Sequence, residues 1–137
     1  MTRADEVWRA LVAVVWETRD DWRRRVMAAT GLPFGRVRAL RRLAAGPLAL
    51  RDLAEAMSTD APAATVAVND LERRGLVQRA PHPTNRRMKL VSLTAAGRRM
   101  VARVDAVPDD APPGFAALSA AELAAVQRVV AVLKPAR

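Results

Sequence analysis

Between residues 73 and 103 the chain carries nine lysines and arginines and no aspartate or glutamate. Guanidinium groups at that density bind anions, and their planar fork matches the paired oxygens of a phosphate. Within the run Arg86 and Arg87 stand side by side after Asn85, in a stretch that Pro81, Pro83 and Thr84 mark as a turn. A few residues upstream, Ala63, Thr65, Val66, Asn69 and Arg73 lie on the less apolar side of a helical pattern. Thr65 and Asn69 can hydrogen-bond to base edges, and Ala63 or Val66 can touch a thymine methyl. That is little polar chemistry for reading bases, so phosphate contacts and groove shape must carry more of any affinity. Arg51, near the start of another short helix, suits a phosphate contact and a plain exposed arginine equally well. A solvated basic surface without a partner is the simpler alternative for the whole run.

The rest of the composition narrows the chemistry. The net charge is +9 over 137 residues, and 21 of the 23 basic residues are arginine. A polyanion is the partner such a charge calls for. There is no cysteine and only one histidine, His82, so disulfides, thiol redox sensing and a zinc or copper site of the usual kind are not expected. No nucleophile–base pair, phosphate-binding glycine loop or metal cluster is present, so neither an enzyme nor a cofactor is expected. No apolar run reaches 18 residues and no signal peptide is visible, which points to a soluble, cytoplasmic protein.

Several elements are needed to position these residues. Leu53, Ala54 and Met57 form one face of a short helix, and Ser58-Thr59-Asp60 make a turn. Asp60 caps the next helix, with Pro62 in its first turn. There Ala64, Ala67, Val68 and Leu71 face inward, leaving Asp70 on the exposed side, and Gly75 closes the helix in left-handed conformation. The period then becomes alternating, with a strand from Leu76 to Ala80 and a return strand from Met88 to Leu93. Leu48-Ala49-Leu50 can add a third short strand. The position before Asp52, held by Arg51, is expected to cap the first motif helix, without a side-chain acceptor to do so. Helix, turn, helix and a two-stranded basic wing make a winged helix-turn-helix.

Flanking this motif are helical segments. Thr2 caps a long first helix, with Asp5 and Glu6 at its positive end, that runs to about Thr30 before Gly31 and Pro33. Trp8, Val12, Val15, Trp22 and Val26 lie on one stripe of it, widened by Val7, Leu11 and Val14. Arg19, Arg23, Arg24 and Arg25 with Glu17, Asp20 and Asp21 suit a salt-laced solvated face. A second helix is expected over 33–45, with Val37, Leu40, Leu43 and Ala44 inward. Thr94 starts a helix that tolerates Gly97 and buries Met100, Val101, Val104 and Val107. Residues 108–115 are expected to be non-helical, and Ser119 with Glu122 forms a capping box for a last helix.

The segments DLAEAM, NDLERRGLVQR and HPTNRRMKLVSLTAAGRR closely resemble MarR-type transcriptional regulators over residues 33–100. The resemblance implies a mainly α fold with a small antiparallel β-wing, a winged helix-turn-helix with N- and C-terminal dimerisation helices. It implies a homodimer that binds double-stranded, palindromic DNA, often as a repressor. Residues 1–32 then form the N-terminal dimerisation helix, 33–97 the DNA-binding region and 98–137 the C-terminal dimerisation helices, where Leu123, Val126, Val129, Val130 and Leu133 meet the first helix. DNA contacts fall to Arg51, Ala63, Thr65, Val66, Asn69, Arg73, Arg86 and Arg87. The resemblance also implies release by a small aromatic or phenolic effector. Its walls here are Trp16, Trp22, Val26, Phe34 and Met100, with Arg38 or Arg41 pairing a carboxylate. Tryptophans at helical spacing are also ordinary core residues. Asn85-Arg86-Arg87 departs from the family's D-R-R, and the break after Val107 departs from its unbroken helix. A low-specificity or architectural nucleic-acid-binding protein is the competing reading.

Overall fold

The computed structural model describes residues 1–134; the last three residues of the C-terminal region expected over 98–137 lie outside them. The element order is α1 (Arg3–Thr30), α2 (Phe34–Leu43), β1 (Leu48–Ala49), α3 (Leu50–Ala56), α4 (Ala61–Arg73), β2 (Val77–Pro81), β3 (Lys89–Leu93), α5 (Ala95–Asp105), α6 (Pro113–Ala116) and α7 (Ala120–Leu133). The sheet is antiparallel in the order β1-β3-β2. Val77 pairs with Leu93 and Pro81 with Lys89, while Leu48 pairs with Val91. β2 is an edge strand, so Pro81 is accommodated at its end rather than breaking it. Leu50, expected in the third strand, instead opens α3.

Local chemistry explains most boundaries. Thr2 and Asp5 form a reciprocal capping box at the start of α1, and Gly31 ends it at φ 69°. Ser119 and Glu122 do the same for α7. α2 is shorter than the expected 33–45, and Ala44 is exposed rather than inward. The capping residue of α3 is Ala49, with no side-chain bond, so Arg51 lies inside the first turn and does not cap it. Residues 108–115 are not wholly irregular, because Pro113 begins one helical turn, as its preset φ favours.

One core joins the helices to the sheet. Trp22 and Val26 of α1, Val37 and Leu40 of α2, Leu53 of α3, Val68 and Leu71 of α4, Val91 of β3 and Val104 of α5 are all buried in it. Only the C-terminal half of α1 takes part. Val7, Trp8, Leu11, Val14 and Val15 are exposed, and so are Leu123, Val129, Val130 and Leu133 of α7. No residue of α7 is buried. No helix among the described residues is long and apolar enough to cross a membrane.

Candidate nucleic-acid interface

α4 is held at both ends by bonds its sequence dictates. The Asp60 carboxylate accepts from the Ala63 N–H at 2.7 Å. At the other end Gly75, at φ 74°, donates to Glu72 O at 2.9 Å and Leu76 donates to Leu71 O at 3.0 Å. These paired bonds are a Schellman motif, and they need the left-handed residue that glycine supplies. Ala64, Ala67, Val68 and Leu71 are buried beneath the helix. Pro62, Val66, Asn69 and Arg73, at steps of four, three and four, form its exposed stripe, with Ala63 beside them. Val66 is 59% exposed, a large apolar side chain with nothing from its own chain to cover it. Thr65 is half-buried and its hydroxyl donates back to Ala61 O at 2.9 Å, so only its acceptor capacity is left over.

Asp70 overturns its expected place on the exposed side. It is buried and gathers three arginines: Arg36 Nε of α2 at 2.9 Å, Arg74 Nε at 3.1 Å, and Arg73. The hydrogen bond from Arg36, joined by those from Arg74 and Arg73, holds the Asp70 carboxyl below the usual carboxylate range against the opposing effect of partial burial. Arg73 is tethered this way and still presents its guanidinium at the surface, 77% exposed.

Arg79 is a residue that the sequence reading passed over. It donates to Asn69 Oδ1 at 2.7 Å and to Glu72 Oε1 at 2.9 Å, bridging β2 to the exposed edge of α4. The signal was present: side chains two apart on a strand share a face, and Arg79 follows buried Val77 by two. An arginine at an inward position must find partners there.

Beyond Pro81 the hairpin tip is ordered by side-chain acceptors. The His82 Nδ1 accepts from the backbone N–H groups of Thr84 and Asn85, at 3.1 and 3.2 Å. The Asn85 Oδ1 accepts from the Arg87 N–H at 3.2 Å, so Asn85 shapes the turn instead of orienting an arginine side chain. Arg86 and Arg87 are exposed and form no ion pair among the described residues, and the same holds for Arg51. Arg51 and Arg87 line one open cleft with Arg79 and Lys89, beside β1 and β3.

The wing and α4 are joined to α5 at one point. The Thr94 hydroxyl donates to Gly75 O at 2.7 Å and accepts from the Gly97 N–H at 3.0 Å. A Cβ on Gly97 would stand 2.0 Å from the Leu76 carbonyl oxygen. Gly97 is therefore required, not merely tolerated.

A second concentration of arginine lies on α1 and α2. Trp16, Arg19, Trp22, Arg23, Phe34, Arg38, Arg41 and Arg42 line an open cleft of about 720 Å³ between α1 and α2. Trp22 and Phe34 meet edge to face with centroids 5.7 Å apart. Arg19 stacks on Trp22 at 3.9 Å, and Arg23 lies over both Trp16 and Phe34. The salt-laced face expected of this part of α1 is thus only half right. Arg24 and Arg25 pair with Asp21, whereas Arg19 turns to Asp109 at 2.5 Å. That bond holds the Asp109 carboxyl below its ordinary range. Of the expected effector residues, Trp16, Trp22, Phe34, Arg38 and Arg41 line the cleft together. Met100 and Val26 do not, because both pack in or against the core. Arg38 also donates to Met57 O at 2.9 Å, and among the described residues the buried indole Nε1 of Trp22 has no hydrogen-bond partner.

Comparison with known proteins agrees with this geometry. A model of the MarR family matches residues 30–88. A MarR-family transcriptional regulator from Rhodococcus sp. RHA1 is 25% identical, with a TM-score of 0.69, over 95% of this chain and 93% of that one. Wild-type MarR from E. coli in its apo form is 21% identical, with a TM-score of 0.73 over 91% and 97%. A mutant of S. aureus MepR is 20% identical, with a TM-score of 0.76 over 98% and 100%. No protein of curated function matches the chain in sequence. By its match over residues 30–88 and by the fold of its described residues, the chain is similar to the MarR family of transcriptional regulators.

Proposed function

We propose that the protein is a cytoplasmic, sequence-specific regulator that binds palindromic double-stranded DNA as a homodimer and acts as a repressor. The observation that carries this reading is the exposed stripe of α4 beside a wing whose flanking run, residues 73–103, holds nine cations and no acid. Two chains joined through α1 and α7 place one α4 in each of two successive major grooves. Arg86 and Arg87 lie along the flanking backbone and minor groove, and Arg51 meets a phosphate. Ala63, Thr65, Val66 and Asn69 face base edges, with Arg73 at the adjacent backbone. Because only Thr65 and Asn69 of these base-facing residues are polar, direct readout is modest and groove shape contributes.

The cleft between α1 and α2 supports the effector part of the reading. A small aromatic or phenolic acid can stack between Trp16, Trp22 and Phe34 while Arg41 or Arg38 pairs its carboxylate. Such a ligand shifts DNA affinity only if it prefers one arrangement of the two α4 helices over the other.

Selection of bound duplexes from a random pool, followed by a salt titration, tests the DNA part. A two-fold symmetric consensus is expected. Equal affinity for unrelated sequences would favour the low-specificity architectural reading instead.

A further inference from the structure

We propose that Arg79 sets the base preference of this protein by fixing which way the Asn69 amide faces. The inference rests on the DNA-binding reading and on one network: Arg79 Nη2 to Asn69 Oδ1 at 2.7 Å and Arg79 Nη1 to Glu72 Oε1 at 2.9 Å. A guanidinium can only donate, so the amide atom that faces it must be the oxygen. The Asn69 NH2 group is then the half that is turned away from β2. Asn69 is exposed on the α4 stripe one turn beyond Val66, where a groove-facing side chain belongs.

A free asparagine is neutral between donor and acceptor, and its usual partner is adenine, which takes one bond of each kind. An asparagine whose oxygen is turned toward a cation points its NH2 donors the other way, so donors lead toward the groove although the oxygen keeps a second lone pair. Guanine, with acceptors at N7 and O6, and thymine, with O4, satisfy donors. Cytosine presents its own N4 donor there and does not. Arg79 is suited to hold this state because Glu72 pins its other nitrogen and because β2, held by β3, cannot swing away with a mobile side chain. Arg79 touches no base in this account. It is a positioning residue.

The test compares affinities for four operator duplexes that differ at one base pair, that base pair being the position where Asn69→Ala loses selectivity. Wild type is expected to favour guanine or thymine over cytosine by roughly tenfold, with adenine between them. Arg79→Met keeps an unbranched, flexible stem, shorter than that of arginine, and removes the donor. It should raise adenine to at least the level of guanine while leaving the order at other positions unchanged. Arg79→Lys, which can still donate to Asn69 Oδ1, should restore the wild-type order. An unchanged order in Arg79→Met, or an equal loss at every position, would overturn the proposal. So would a consensus in which no position responds to Asn69→Ala, although the DNA-binding reading would then stand. Absence of any consensus would remove both.

Discussion

At the scale of single residues, two positions govern how α4 is held against the rest of the fold. Gly97 lets α5 approach the turn after α4 so closely that its missing Cβ would lie 2.0 Å from Leu76 O. The obstacle is backbone, which cannot rotate aside, so Gly97→Ala should lower stability by about 2 kcal/mol or more in urea melts. Asp70 ties α2 to α4 through Arg36 and neutralises part of the charge of Arg73 and Arg74. Its carboxyl is held below the ordinary value of about 4. A carboxylate with a depressed folded-state pKa contributes stability that is complete above the ordinary value and is lost as pH falls through the depressed one. Melting temperatures measured from pH 7 down to pH 2 should therefore fall less steeply below about pH 5 for Asp70→Asn than for wild type, from a lower starting point. Asp5, Asp109 and Glu122 are depressed as well and keep part of the acid slope. Acid limbs that stay parallel would mean that the Arg36–Asp70 bond contributes nothing to folding.

At the scale of elements, the proposed reading divides the work of binding between the wing and α4. Arg86 and Arg87 sit on an exposed turn, unpaired among the described residues, and in the proposed reading they meet phosphate or groove without a fixed base partner. Arg86→Ala and Arg87→Ala should each weaken specific and random duplexes by a similar factor and reduce the salt slope by about one. A loss confined to one base-pair position would show that the arginine reads a base. Much of this layout was legible in the sequence because its signals are local. The capping residues Thr2, Asp60 and Ser119, the glycines after α1 and α4, and the change of period after Gly75 each mark a boundary within a few residues. What local pattern could not show were bonds made across the fold. Asp70 reads as polar and exposed on a helical wheel, and only α2, 34 residues away, supplies the Arg36 that buries it. Gly97 looked permissive because the carbonyl it must avoid belongs to the turn after α4. Arg19 looked like one member of a solvated charge row, yet its partner Asp109 lies 90 residues further on. The α1–α2 cleft was found in part through family resemblance. Its arginines are more numerous than that resemblance implied, and Met100 is displaced from it by the packing of α5.

At the scale of the whole molecule, most of the large apolar side chains left exposed among the described residues lie on the N-terminal half of α1 and on α7. Large apolar side chains left exposed on helices that stand outside their own core suit a partner subunit, and a second copy of the chain would bring the second α4 that a two-fold operator requires. Leu11→Asp and Val130→Asp should each shift the protein to monomer in sedimentation at micromolar concentration, with helix content kept, because neither residue is in the core. A monomeric wild type at that concentration would contradict the dimer. The two-fold reading head is tested most directly by hydroxyl-radical footprinting of the complex on a selected operator. Two protected half-sites are expected on one face of the duplex, their centres about 10 bp or a whole number of turns apart, with flanking protection from the wings that weakens in Arg86→Ala. A single protected patch, or uniform protection without two-fold symmetry, would contradict it.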